Sequence, residues 1–172
     1  MNKVILKQLS YFNRVNVPKY IESKIQMTAL IHLDLADMGK LRDRMEGQSY
    51  YNILKADIVA EFAFENIIGI RSFDWEKRSI KSYNRKKYMF DNKELYIILF
   101  ENENFPKINT ENITNYIFAY VNMDNRVLLS RLATKSYIIE ILMKKNEKII
   151  EITDFQNLTE FSSIDDLISK ME

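Results

Sequence analysis

The pattern of hydrophobic and polar positions predicts a β-hairpin in the middle of the chain. Two apolar runs, residues 88–90 and 95–100, flank the polar insert Asp91-Asn92-Lys93-Glu94. Runs rich in Ile, Tyr and Phe that are separated by a short insert with Asn and Asp are typical of hairpins. The second run does not alternate between apolar and polar residues, which predicts a strand that is buried on both faces near the centre of a sheet.

A long amphipathic helix is predicted over residues 49–68, with Gly69 as its C-terminal cap. Asp57, Glu61 and Glu65 recur every fourth residue of this helix, so their carboxylates share one face. That spacing favours a solvated face. The alternative is that Glu61 or Glu65 faces a metal or an active site.

The remaining elements follow from the same patterns. Apolar alternation from Ile25 to Leu35 favours a strand, and a helix ending near Gly47 follows it. Further strands are predicted at 70–75, 115–121, 126–129 and 148–152, and helices at 135–145, capped by Thr134, and from Ser162 onward. The predicted fold class is α/β (α+β), a mixed central β-sheet flanked by helices. We expect one domain over residues 1–172, with a core at about 50–135, an N-terminal arm at 1–48 and a C-terminal extension at 136–172.

Composition narrows the possible chemistry. The chain has 172 residues, 47% of them hydrophobic, and it has no Cys, so disulfides, thiolate zinc sites and Cys nucleophiles are excluded. A single histidine, His32, gives no support to a Ser-His-Asp triad, and three Gly residues argue against a Gly-rich phosphate loop. No apolar run is long enough for a membrane helix and no secretory signal is evident, which favours an intracellular, cytoplasmic protein.

The charges are distributed unevenly, although the net charge is only +1. Residues 77–87 contain no acid, and their six basic residues are Lys77, Arg78, Lys81, Arg85, Lys86 and Lys87. Tyr83 lies among them, an arrangement suited to stacking on bases beside phosphate contacts with DNA or RNA. A solvated basic loop is the alternative. The C-terminal helix is acidic, which fits either a plain surface helix or a docking face for a basic protein partner.

The order of these elements carries a resemblance to a known superfamily. The AEFAFENIIG helix, the Asp-containing hairpin, the long apolar strand and the later NYIFAYVNMDNRVLLSRL segment resemble the core of PD-(D/E)XK nucleases, a restriction-endonuclease-like fold. The resemblance covers about residues 50–135. It implies a site in which acidic side chains hold Mg²⁺, which activates water, while a lysine orients that water.

Carried over to this chain, the resemblance implies Glu61 as the helix acid, Asp74 and Asp91 as the metal ligands, and Lys93 as the lysine. Asp91-Asn92 is also the pair that a tight hairpin turn requires, and we favour the turn. If Asp91 belongs to the turn, its side chain is expected to cap local amides and Lys93 to point to solvent. We therefore expect a nucleic-acid-associated protein whose nuclease centre is degenerate and needs no cofactor. An active Mg²⁺-dependent endonuclease and a non-enzymatic assembly subunit are the alternatives.

Overall fold

The computed structural model describes residues 9–32, 34–35, 45–70, 87–100, 108, 111–122, 126–145 and 152–172. Within these ranges the chain forms five strands and four α-helices. The strands are β1 (Phe12–Asn16), β2 (Lys87–Phe90), β3 (Lys93–Leu99), β4 (Asn115–Val121) and β5 (Arg126–Ser130). The α-helices are α1 (Lys19–His32), α2 (Met45–Ile68), α3 (Lys135–Lys145) and α4 (Ile164–Lys170). Two 3₁₀ turns lie at Leu9–Tyr11 and Ile152–Asn157.

The strands form one mixed sheet in the order β1-β5-β4-β3-β2. β3 and β4 run parallel, and the other neighbouring pairs are antiparallel. A mixed sheet flanked by helices is the α/β architecture that the sequence predicts. The two strands predicted at 95–100 and 115–121 lie side by side as β3 and β4, with Leu95 paired with Asn115 and Leu99 with Ala119.

Two apolar clusters cover the two faces of the sheet. On one face, side chains of α1, α2 and α4 pack on Leu95, Ile97, Ile117 and Leu129. On the other face, Phe155 of the second 3₁₀ turn and two residues of α3 pack against aromatic side chains of β4. Alternate residues of β4 therefore enter opposite clusters, which explains why its sequence is continuously apolar.

The central hairpin turns at Asp91 and Asn92, both of which have positive φ, 46° and 64°. A two-residue turn with two left-handed residues matches the right-handed twist of the strands that it joins. Phe90 pairs with Lys93 on either side of it. The turn interpretation of Asp91-Asn92 is thus confirmed.

β5 carries a β-bulge. Ala119 pairs with Leu129, and the next bridge of β4 joins Tyr116 to Ala133. Two residues of β4 therefore lie opposite three residues of β5 and its continuation. Such a bulge shifts the direction of the side chains that follow it.

The structure corrects the N-terminal predictions. Residues 25–32 belong to α1 and not to a strand, because Ile21, Ile25 and Thr28 lie on one buried helical face. Strand β1, which the sequence analysis does not anticipate, precedes this helix. Gly47 lies inside α2 and does not end a helix.

Other boundaries agree with the predictions. α2 continues to Ile68 and ends at Gly69, whose φ is +73°. α3 begins after Thr134, which accepts a hydrogen bond from the Tyr137 amide at 3.4 Å. The C-terminal helix has Ser163 as its N-cap.

Two predicted strands lie mostly outside the described residues. Of the strand predicted at 70–75, only Ile70 is described. Of the strand predicted at 148–152, only Ile152 is described, and it begins a 3₁₀ turn. No helix in the described ranges has the length and apolar character needed to cross a membrane.

Candidate functional site

Asp91 and Lys93, two residues of the predicted nuclease motif, are placed by the hairpin. Asp91 is exposed at the tip of the turn. The Lys93 ammonium group donates hydrogen bonds to the backbone oxygens of Met171 at 2.6 Å and Ile168 at 3.2 Å. The expectation that Lys93 points to solvent beside the turn is therefore wrong, because the end of α4 lies within its reach.

Glu61 lies on a buried face of α2. The exposed fractions of Asp57, Glu61 and Glu65 are 1%, 3% and 4%, so the solvated face predicted for these carboxylates is wrong. The physical reason is that α2 is enclosed, with Ile58, Val59 and Ala60 also buried in succession. Glu65 accepts a hydrogen bond from the Tyr88 hydroxyl of β2 at 3.3 Å, which links the helix to the edge of the sheet.

Most of the predicted nucleic-acid contacts lie outside the described residues, namely Lys77, Arg78, Lys81, Tyr83, Arg85 and Lys86. Asp74, the second proposed metal ligand, also lies outside them. In the ranges that the structure describes, no group of three or more His, Cys, Asp or Glu side chains is arranged to hold a metal ion.

Lys87 is the described member of the basic segment, and it begins the edge strand β2. Its ammonium group lies 2.5 Å from Glu94 Oε1 on β3 and 5.9 Å from the centre of the Tyr96 ring. The hydrogen bond with Glu94 raises the pKa of Lys87 above its ordinary value. Lys87 is thus cationic and held against the sheet at the point where the basic segment joins it.

Two acidic side chains of the C-terminal segment, Asp166 and Glu172, make internal contacts. Asp166 accepts hydrogen bonds from the Ser162 amide at 2.9 Å and from Lys170, whose ammonium group lies 2.7 Å away. The hydrogen bond from Lys170 lowers the pKa of Asp166. The Glu172 carboxylate accepts hydrogen bonds from the amide and hydroxyl of Ser136 at 2.8 and 2.6 Å, at the start of α3. These contacts hold the segment to the domain.

An open cleft of 530 Å³ lies between β1 and residues 160–162. Its origin is visible in the strand pairing. β1 pairs with β5 as far as Ser130, and beyond it Leu132 pairs with Thr159 in both backbone directions. Two separate segments therefore share one side of the same strand, and the space between them is the cleft.

Arg131 follows the bulge and lines this cleft. Its guanidinium group lies 5.6 Å from the centre of the Tyr11 ring and is ion-paired with Glu160. Lys170 lines the same cleft and donates a hydrogen bond to the backbone oxygen of Glu160 at 2.9 Å. Two cations and an aromatic ring thus meet in one concave surface.

The pattern of residues along the chain does not predict this cleft. One local signal was present, since the polar pair Ser130-Arg131 interrupts the apolar run between Leu129 and Leu132. Nothing in the spacing of the residues links Tyr11, Arg131 and Lys170, because tertiary pairing alone brings them together.

Comparison with protein-family models, curated proteins and solved structures finds no match for this chain.

Proposed function

We propose that this domain binds nucleic acid through residues 77–87 and that it is a PD-(D/E)XK-like protein without a working nuclease centre. The observation that carries the proposal is the charge of this segment, which has six basic residues and no acid. Such a segment neutralises several backbone phosphates at once, and the counterions that these phosphates release drive binding.

The position of Lys87 supports this proposal. The basic segment leads directly into β2, an edge strand of the sheet. Within the described ranges no further strand pairs with β2, so a nucleic acid that follows the segment would meet this edge of the sheet. Tyr83 falls in the same part of the sequence, where stacking on bases would add to the phosphate contacts.

The absence of catalysis is supported by the contacts of the hairpin. Asp91 occupies a strained turn position, and Lys93 is hydrogen-bonded to the end of α4. A nuclease centre of the type implied by the resemblance needs both groups beside one metal ion. Recruiting Lys93 to such a centre would break its two hydrogen bonds to α4.

The salt dependence of binding to a short DNA or RNA duplex and to a single strand tests the proposal. For the variant Arg85→Gln/Lys86→Gln/Lys87→Gln, the slope of log affinity against log salt should fall in magnitude by about two to three units. The matched control removes the same charge from three exposed lysines elsewhere, as Lys19→Gln/Lys24→Gln/Lys144→Gln. The proposal would be refuted if the slope fell equally in both variants, or if the wild-type protein bound no nucleic acid at low salt.

The second candidate function is a non-enzymatic subunit that associates with another copy of this chain through α1. Three large apolar side chains, Tyr20, Met27 and Ile31, are 72%, 64% and 61% exposed and fall on one face of this helix. Exposed apolar stripes of this kind favour protein contacts. Light scattering should then give a dimer that Ile31→Glu converts to a monomer. A wild-type monomer at all concentrations would exclude this function.

A further inference from the structure

We propose that the cleft between β1 and residues 160–162 binds a nucleoside phosphate, with the phosphate on Arg131 and Lys170 and the base against Tyr11. The described structure provides a concave volume, two cations and an aromatic ring in this place. The cleft volume of 530 Å³ lies within the range of small-molecule sites, about 300–1,000 Å³.

The bulge in β5 explains why an arginine points into the cleft. In regular pairing the side chains of a strand alternate between the two faces of the sheet. Leu129 and Leu132 nevertheless enter the same apolar cluster, which requires one extra residue between them. The Phe118 amide, which faces the bulge, donates to the Ser130 hydroxyl at 2.9 Å, so the irregular backbone has its hydrogen bonds satisfied. Bulges of this kind often redirect a side chain next to a binding site.

Glu160 is a replaceable partner of Arg131. Its side chain is 70% exposed, while that of Arg131 is 24% exposed. An ion pair with a largely exposed member contributes little to stability, so its carboxylate can give way to another anion. Arginine binds a phosphate through two parallel hydrogen bonds. Once Glu160 has moved away, the N–H groups of Arg131 can make these bonds to a ligand.

The charge balance of the cleft favours an anionic ligand once Glu160 has moved. Asp166 is held in place by the Ser162 amide and hydroxyl at 2.9 and 3.2 Å. Arg131 and Lys170 then face one fixed carboxylate, which leaves one positive charge in excess. Ser10 also lines the cleft, and its hydroxyl group can donate to a phosphate.

The aromatic part of the cleft selects a ligand with a planar ring. Tyr11 lies against the Arg131 guanidinium, and Phe161 lines the same cleft. Bases stack on tyrosine rings and on guanidinium planes, since both present a flat π surface. A ligand that combines a base with a phosphate would contact both the aromatic residues and the two cations of the cleft.

This site is separate from the basic segment of the proposed function. The cleft adjoins β1 and the basic segment joins β2, and these are the two opposite edges of the sheet. Four strand spacings of about 4.8 Å separate the edges, or roughly 19 Å. The inference therefore does not rest on nucleic-acid binding by residues 77–87.

Calorimetric titration of the whole protein with AMP tests the inference. We expect Arg131→Gln to weaken AMP binding by about tenfold or more, because a charge-assisted hydrogen bond to the phosphate is lost. Glu160→Gln should strengthen it by about 1.5- to 5-fold, because the competing carboxylate is removed. Glu140→Gln, a carboxylate that pairs with Lys144 on the exposed side of α3, is the matched control and should leave AMP binding unchanged.

Adenosine and inorganic phosphate should each bind more weakly than AMP. Tighter binding of a 5′-phosphorylated single strand than of AMP would assign the site to a nucleic-acid end, and the reverse order would assign it to a free nucleotide. The inference is overturned if neither AMP nor the 5′-phosphorylated strand binds at millimolar concentration, or if inorganic phosphate alone binds as tightly as AMP. A folded Glu160→Gln protein that binds AMP more weakly than wild type would also overturn it.

Discussion

The ammonium group of Lys93 lies 2.6 Å from the backbone oxygen of Met171, so a residue beside the hairpin turn caps the C-terminal end of α4. The last carbonyl groups of a helix have no partners within the helix, and a cation there also interacts favourably with the helix dipole. Asn115 adds to this contact, because its side-chain amide donates to the backbone oxygen of Glu172 at 2.8 Å and its oxygen accepts from the Glu172 amide at 3.2 Å. The C-terminal residues are thereby joined to β3 and β4.

Replacing Lys93 with Met should loosen α4. The substitution keeps the length of the side chain and removes both hydrogen bonds, so we expect a loss of about 1–3 kcal/mol in the free energy of unfolding. Urea denaturation measures this loss, and hydrogen exchange should show faster exchange in residues 164–172. Lys144→Met, at an exposed position of α3, serves as the control. Equal stability of both variants would argue against the role assigned to Lys93.

The hairpin turn should respond to substitutions at its two left-handed positions. Asn92→Gly should stabilise the protein by up to about 1 kcal/mol, because glycine adopts a φ of 64° without steric cost and Asp-Gly suits this turn. Asp91→Ala should destabilise it by about 1 kcal/mol, because alanine is strained at positive φ. Thermal denaturation measures both changes. Nucleic-acid affinity should be nearly unchanged in Asp91→Ala, and a large loss of affinity would indicate a binding role for this carboxylate.

Ile97 belongs to β3, the strand beside the central strand β4. It is fully buried between the sheet and α2, whereas Ile98 faces the other layer and is only partly buried. Ile97→Ala should cost about 2–5 kcal/mol through lost burial and the cavity that remains. Ile53→Ala, at an exposed position of α2, should change stability by less than about 0.5 kcal/mol. Similar losses in the two variants would contradict the placement of β3.

Asp166 should make stability depend on pH in acid. Its pKa is lowered in the folded state, chiefly by the hydrogen bond from Lys170, so the unfolded chain binds the proton more readily. The stabilisation is therefore present above the ordinary aspartate pKa of about 3.9 and is lost as the pH falls through the lower folded value. Wild type should be more stable than Asp166→Asn near neutral pH. When the free energy of unfolding, measured by urea denaturation, is plotted against pH, the curves of the two proteins should converge in strong acid. Parallel curves would exclude this linkage.

Catalysis is expected to be absent. With Mg²⁺ or Mn²⁺ present, the purified protein should leave duplex and single-stranded DNA intact, because Lys93 is bound to α4 and Asp91 lies in the turn. Gel analysis of nicked plasmid measures this. Metal-dependent nicking that disappears in both Asp74→Ala and Asp91→Ala would establish the nuclease alternative.

The parts of the fold that were predictable have strong local signals. The hairpin followed from Asp91-Asn92 between two apolar runs, and α3 followed from Thr134 ahead of a helical pattern. In both cases the residues that form the element also determine its ends. The mixed sheet then followed from the number and order of such elements.

The wrong predictions concern positions at which an apolar residue is exposed or a charged residue is buried. Met27 and Ile31 are apolar but exposed, and together with Ile25 they imitate the alternation of a strand. Asp57 and Glu61 are acidic but buried. The face of α2 that carries them is covered by the rest of the protein, although its residue types are those of a solvent-exposed face. Neither inversion can be recognised from local sequence, because tertiary packing decides which helical face is covered.

The pairing of β1 with β5 has a consequence for how the protein is made. β1 is synthesised before β5, and Phe12 has no hydrogen-bonding neighbour in the sheet until Ser130 has been made. At ordinary rates of synthesis this delay is on the order of ten seconds. During that time Phe12 and Val15, the two residues of β1 that are buried in the folded protein, are exposed on the nascent chain, where chaperones or aggregation compete for them. We therefore expect this edge of the sheet to close only after β5 has been synthesised, although β1 precedes every other described strand in the chain.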